Sequence, residues 1–193
     1  SIPGGPSGRP AVNKDGTIIV GALDKSVLAL DPTGKILWQT QLDEAPVGTP
    51  ALDAEGRIFV AGNKGGVIAI DPNGNILWRV QASNGRGATS GPVIDTKGNI
   101  FLTIVDEVAA VSPQGQLLWR ANAADVYLEE APRISTDQSM VFLKNSAFKA
   151  ETGERVLVTI GTPQDYLFSD PTYFTGADGN NYYRLGHEII GWR

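Results

Sequence analysis

Apolar residues in this chain come in runs of four to six, each closed off by Gly, Pro, Asp or Asn. RIFVAG (57–62), VIAID (67–71) and NILWRV (75–80) show the pattern, and a helix would need ten or more residues between such breakers. Each run therefore predicts a short antiparallel strand. IIVGA (18–22) and VIAID are apolar almost without interruption, which predicts strands covered on both faces. The segments around Gln39, Gln41, Arg79 and Gln81 alternate between polar and apolar, which predicts a strand wet on one side.

The runs recur with a fixed period. Pro10, Pro50, Pro92, Pro132 and Pro171 are spaced by 40, 42, 40 and 39 residues, and Trp38, Trp78 and Trp119 by 40 and 41. Between each proline and its tryptophan lie a short strand, a D-x-x-G turn (Asp53 to Gly56 in the second copy), two longer strands, and a turn of the type DPNG (71–74) before the last strand. Asp31 and Asp71 can cap that last turn, Pro32, Pro72 and Pro113 preset φ, and Gly34, Gly74 and Gly115 can take positive φ. Four strands per forty residues is one blade of a β-propeller.

The expected fold is thus all-β: a partial propeller of about 4.5 four-stranded antiparallel blades in one region, 1–193. The blades span roughly 8–42, 48–82, 90–122, 130–160 and 169–193, the last incomplete. The fourth copy drifts. Its turn reads as shortened to Glu151-Thr152-Gly153, Leu157 stands where the tryptophan would be, and Arg133 and Lys149 enter positions held earlier by small or apolar residues. In the fifth, EIIGWR (188–193) aligns Trp192 with Ile70, so it is not a fourth copy of the repeated tryptophan. Such a ring is expected to leave two apolar open faces.

Composition narrows the function. Sixteen Lys and Arg against twenty-one Asp and Glu give a net charge of −5 with no basic stripe, so nucleic acid is not an expected partner. There are no cysteines, which excludes disulfides, thiolate metal sites and a cysteine nucleophile. No apolar run is long enough for a membrane span. Ser1 in place of an initiator Met fits a trimmed product, which leaves export open.

The pattern P-A-hydrophobic, D-x-x-G-x-I-F-V, G-x-V-x-A-hydrophobic-D-P-x-G-x-I-L-W resembles the pyrroloquinoline-quinone-like (PQQ-like) repeat over residues 8 to 193. Quinoprotein dehydrogenases and non-catalytic BamB-like proteins share that repeat. The resemblance implies that Trp38, Trp78 and Trp119 pack against the adjoining blade. It also implies a periplasmic or extracellular location. Quinoprotein dehydrogenases add a vicinal disulfide, a Ca²⁺ site and a catalytic aspartate to the repeat, and a chain without cysteine departs from that pattern. No cofactor is expected.

Individual candidates read as structural. His187, the only histidine, has no triad partner at a known spacing and reads as the start of a strand. GRGATSG (85–91) lacks the phosphate-loop spacing and reads as an inter-blade connection aligned with EAPVGTP (44–50). Asp53, Asp95 and Asp178 sit beside turn glycines, and NKDG (13–16) and GADGN (176–180) offer only fragments of a calcium loop. Glu129 and Glu130 read as a loop rim. Tyr166, Phe168, Tyr173, Phe174, Tyr182 and Tyr183 read equally as a binding patch or as half-buried strand residues. No catalytic, cofactor or metal residue is assigned.

The expectation is a non-catalytic scaffold or protein-interaction subunit, part of a larger extracytoplasmic or membrane-associated assembly. Its partner would be another protein, or further copies that complete the ring. The rival is a fragment of a larger propeller enzyme or ligand binder, quinoprotein-like or carbohydrate-binding, whose site lies in blades outside these residues.

Overall fold

The structure is a computed structural model that describes residues 2–123, 131–143 and 146–158, and the strand segments 172–175, 181–185 and 188–192. Blade one comprises β1 (Ala11–Val12), β2 (Ile18–Gly21), β3 (Ser26–Leu30) and β4 (Ile36–Gln41). Blade two comprises β5 (Pro46–Leu52), β6 (Ile58–Gly62), β7 (Gly66–Ile70) and β8 (Ile76–Gln81). Blade three comprises β9 (Val93–Ile94), β10 (Ile100–Ile104), β11 (Glu107–Val111) and β12 (Leu117–Asn122). Blade four comprises β13 (Arg133–Ile134), β14 (Met140–Leu143), β15 (Ser146–Lys149) and β16 (Arg155–Val158). A fifth sheet holds β17 (Thr172–Thr175), β18 (Asn181–Leu185) and β19 (Glu188–Trp192). Each sheet is antiparallel in sequence order, as hairpins of this length require.

Side-chain alternation explains the uninterrupted apolar strands. In β6, Ile58 and Val60 join Ile19, Val27 and Ala29 of blade one in a shared core. Phe59 and Ala61 point the other way, into a second core with Ile100, Leu102 and Ala109 of blade three. Phe101, Val108 and Ala110 repeat the arrangement against Val141, Leu143 and Phe148 of blade four. A strand with a neighbour on each face needs apolar residues at every position. Every residue of β6, β7 and β10 is buried, and each large side chain contributes about 1.5–3 kcal/mol. The outer strand β8 alternates half-buried with exposed, as expected for a strand with one wet side.

One irregularity recurs in all four complete blades. Ala29, Ala69, Ala110 and Ala147 pair with Trp38, Trp78, Trp119 and Leu157, and directly beyond each pair the register slips. Leu37, Leu77, Leu118 and Val156 are the residues left without a cross-strand partner, which makes each a β-bulge. The bulge turns that residue outward. Its neighbour, the tryptophan, is thereby aimed along the seam between blades.

Two expectations need correcting. The fourth copy's turn is longer, not shortened: Gly153 N–H donates to Lys149 O across five residues, where Gly74 N–H reaches Asp71 O across four. One residue was added between strand and glycine. The outward face of blade one is also not bare. Val20 and Leu28 are 2% and 0% exposed and pack with Ile2 and Leu30. The segment before β1 is tied to β2 and its turn by Ser7 N–H to Gly21 O and Leu23 N–H to Gly5 O. In the fifth sheet Asn181 pairs with Trp192, as Ile58 pairs with Ile70, so the alignment of Trp192 with Ile70 holds.

Candidate functional site

The repeated motif closes on itself between blades. The indole N–H of Trp38 donates to Pro72 O at 2.9 Å, that of Trp78 to Pro113 O at 3.1 Å, and that of Trp119 to Ala150 O at 2.8 Å. Each ring lies over the turn glycine of the next blade. A Cβ added to Gly74, Gly115 or Gly153 would lie 2.8, 2.7 or 2.5 Å from the ring of Trp38, Trp78 or Trp119. Glycine is required there twice over, by the ring and by φ of 89°, 82° and 71°.

The turn that receives the ring is braced from within its own blade. Asp71 Oδ1 accepts the Asn73 and Asn75 N–H groups, and Asp31 Oδ1 accepts those of Thr33 and Lys35. Ser112 Oγ accepts the Gln114 and Gln116 N–H groups in the third copy. Hydrogen bonds from the Thr33 hydroxyl and the Asn75 amide hold the Asp31 and Asp71 carboxyls below the usual carboxylate range. The fourth copy keeps the seat despite its drift, because Ala150 O and Gly153 substitute for the proline carbonyl and glycine. Lys149 faces solvent beside Glu154, with Nζ 2.7 Å from its carboxylate. What is lost is the outgoing ring, since the register places Leu157 where the tryptophan stood.

The opposite end of the blades holds the second–third strand hairpins and the connections between blades. Glu44 is 7% exposed and accepts the Lys64 N–H at 2.7 Å. A Cβ on Gly62 or Gly66 would fall about 2.0 Å from its carboxylate, so these glycines make room for it. The sequence reading missed Glu44, and its only trace was the glycine pair around Asn63-Lys64. Arg86 pairs with Asp106 across the next seam. Thr89 N–H donates to Thr103 O, and the Ser90 and Thr103 hydroxyls share a hydrogen bond.

GRGATSG thus runs between β8 and β9, with its polar groups bonded to blades two and three. Asp53 accepts from the Glu55 and Arg57 N–H groups and from the Arg57 side chain. Asp95 accepts from Lys97 and Asn99 in the same way. Among the described residues no three of His, Asp or Glu converge at a distance suited to a metal ion. His187, Glu129, Glu130, Asp178, Tyr166 and Phe168 lie outside the described residues. The backbone register pairs Tyr173 with Tyr183 and Phe174 with Tyr182, which brings four aromatic positions together on β17 and β18.

The family model described as outer membrane protein assembly factor BamB matches residues 3–159. No curated protein matches the chain in sequence. Among solved structures, BamB from Moraxella catarrhalis is similar at a TM-score of 0.62 and 14% identity, covering 97% of this chain. This chain spans 64% of that one. A Bacteroides caccae protein of unknown function is similar at a TM-score of 0.60 and 18% identity, covering 95% of this chain and 72% of its own. Those identities carry the fold alone, but the family match covers most of the sequence. The chain belongs to the BamB-like family of PQQ-repeat β-propellers.

Proposed function

We propose that the protein is a non-catalytic propeller scaffold that binds another protein through its blade perimeter. One observation carries the reading. The bulge residues Leu37, Leu77, Leu118 and Val156 are 53%, 48%, 47% and 45% exposed at equivalent positions of four blades. Bulge geometry explains why they face outward, but a polar residue would satisfy the bulge equally well. An apolar residue kept at all four is what a partner-binding rim needs. The family match supports an extracytoplasmic setting within a membrane-associated assembly, since its namesake is an assembly factor for outer membrane proteins. No helix among the described residues is long and apolar enough to cross a membrane.

The test is a chain with Leu37, Leu77 and Leu118 changed to Gln. Folding stability should move by no more than about 0.5 kcal/mol per site, as at other surface positions. Crosslinking in cell-envelope extract should lose a partner band that the parent chain gives. A parent chain found in that extract only as a free monomer would overturn the reading.

The rival reading is a portion of a larger propeller enzyme or ligand binder. It draws on the fact that the chain spans 64% of the BamB chain it resembles. Calorimetric titration with pyrroloquinoline quinone and Ca²⁺ separates the two, and tight binding would favour the rival.

A further inference from the structure

The chain contains two Asn-Gly pairs, Asn73-Gly74 and Asn84-Gly85. Both asparagines are exposed, and both glycines hold positive φ, 89° and 83°. Their surroundings differ. The Gly74 N–H donates to Asp71 O at 3.0 Å, its carbonyl accepts the Thr40 hydroxyl of blade one, and the Trp38 ring lies over it. Asn73 is held as well, its N–H donating to Asp71 Oδ1. Gly85, by contrast, is exposed, and a Cβ there would meet no atom within 4 Å. Among the described residues its N–H has no acceptor. The loop that carries it is pinned at both ends. The Ser83 hydroxyl donates to Arg86 O at 2.6 Å, and a Cβ on Gly65 would fall 2.1 Å from each of those two oxygens. Asn84 and Gly85 form the tip between these anchors.

We infer that Asn84 is a self-modifying site, deamidated through attack by the Gly85 backbone nitrogen, and that Asn73 is protected by the interlock between blades. The Gly85 nitrogen gives up its proton and bonds to Asn84 Cγ. The Cγ–Nδ2 bond breaks, and ammonia leaves with that proton. Water then opens the resulting five-membered succinimide at either carbonyl, leaving aspartate or isoaspartate. Water is the only co-reactant, and nothing is oxidised or reduced. Ring closure needs a small following residue, a nitrogen free of a backbone acceptor, and an asparagine side chain free to fold onto its own backbone. Gly85 supplies the first two and the exposed Asn84 the third. Gly74 fails the second, and its nitrogen is released only when the turn opens locally and sheds the Trp38 ring. One amide becomes one carboxylate, so the net charge moves from −5 to −6. The new charge stands two residues from Arg86, and so changes the balance beside the Arg86–Asp106 pair that spans the seam. The isoaspartyl product also lengthens the backbone of the inter-blade connection by one methylene. None of this depends on the perimeter rim.

The test follows both pairs in one sample. The full chain is aged in mildly alkaline buffer, folded in one arm and unfolded in guanidinium chloride in the other. Peptides bearing each asparagine are read by mass spectrometry for the amide-to-acid conversion, with isoaspartate identified by enzymatic methyl transfer. In the folded chain Asn84 should convert at least about tenfold faster than Asn73, which corresponds to about 1.4 kcal/mol of protection. In denaturant the two should react at similar rates. A Gly85→Ala chain should slow at Asn84 alone. Equal rates in the folded chain, or an Asn84 that reacts only in denaturant, would overturn the inference. An unchanged Asn84 rate in Gly85→Ala would also overturn it, by making direct hydrolysis the route.

Discussion

Trp78 and Gly115 belong to different blades and occupy what would be one side chain's space: a Cβ on Gly115 would fall 2.7 Å from the indole. The tryptophan ends one copy of the motif, and the glycine sits in the turn of the next. The Trp78 N–H binds the Pro113 carbonyl two residues before that glycine. Proline, glycine and tryptophan recur together because the second and third copies each supply both the ring for the next blade and the seat for the previous one.

Truncating the ring measures the seam. Trp78 also packs at a tilt against Phe59 of its own blade, with centroids 5.9 Å apart and ring planes 45° apart. Trp78→Ala should cost about 3–5 kcal/mol in urea unfolding. Trp78→Phe keeps a ring but leaves the Pro113 carbonyl without its donor, which adds about 1 kcal/mol to the cost of the smaller ring.

Gly34 provides an internal control, because a Cβ there would meet no atom of the described residues within 4 Å. Gly34→Ala and Gly74→Ala both place a side chain at positive φ, a shared cost of about 1–2 kcal/mol. Only Gly74→Ala also meets a ring, which should add about 1–3 kcal/mol. Equal melting temperatures for the two variants would mean that the ring yields freely.

At the opposite end of the blades, Glu44→Ala should cost about 1–3 kcal/mol, because the Lys64 N–H loses its acceptor. Glu44→Gln keeps an acceptor oxygen and should recover most of that loss. Thermal unfolding of the two variants side by side is the check.

Acid should loosen the turns. Asp31 and Asp71 have carboxyls held low, by hydrogen bonds first from Thr33 and Asn75, so the folded state favours their ionised forms. Their contribution is complete above the unfolded carboxylate pKa of about 3.9 and is lost as pH falls through the lower folded values. Asp31→Asn with Asp71→Asn should flatten the fall in urea midpoint below that point and leave its slope near neutral pH unchanged.

Much of this was legible in the sequence, because strand period, turn chemistry and repeat spacing are local. VIAID announced a strand covered on both faces, and Asp71 and Gly74 announced their turn. The family resemblance implied that Trp38 packs against the adjoining blade, and it does, but its seat on Gly74 was not legible because the two meet only across the seam. Glu44 was hidden for the same reason, its partners being twenty residues on in the neighbouring hairpin. The fourth copy misled because its letters and its turn length changed while the seat did not: Ala150 O and Gly153 still receive Trp119. The covered face of blade one depends on Ile2, which carries no repeat signal.

A double-mutant cycle on Trp78 and Gly115 tests the interlock most directly. Trp78→Leu, Gly115→Ala and the double variant are unfolded in urea under one set of conditions. Removing the ring gives the new methyl group room, so the double variant should be more stable than the sum of the single losses by about 1 kcal/mol or more. Additive losses, within about 0.3–0.5 kcal/mol, would show that ring and glycine do not share a seat and would contradict the account.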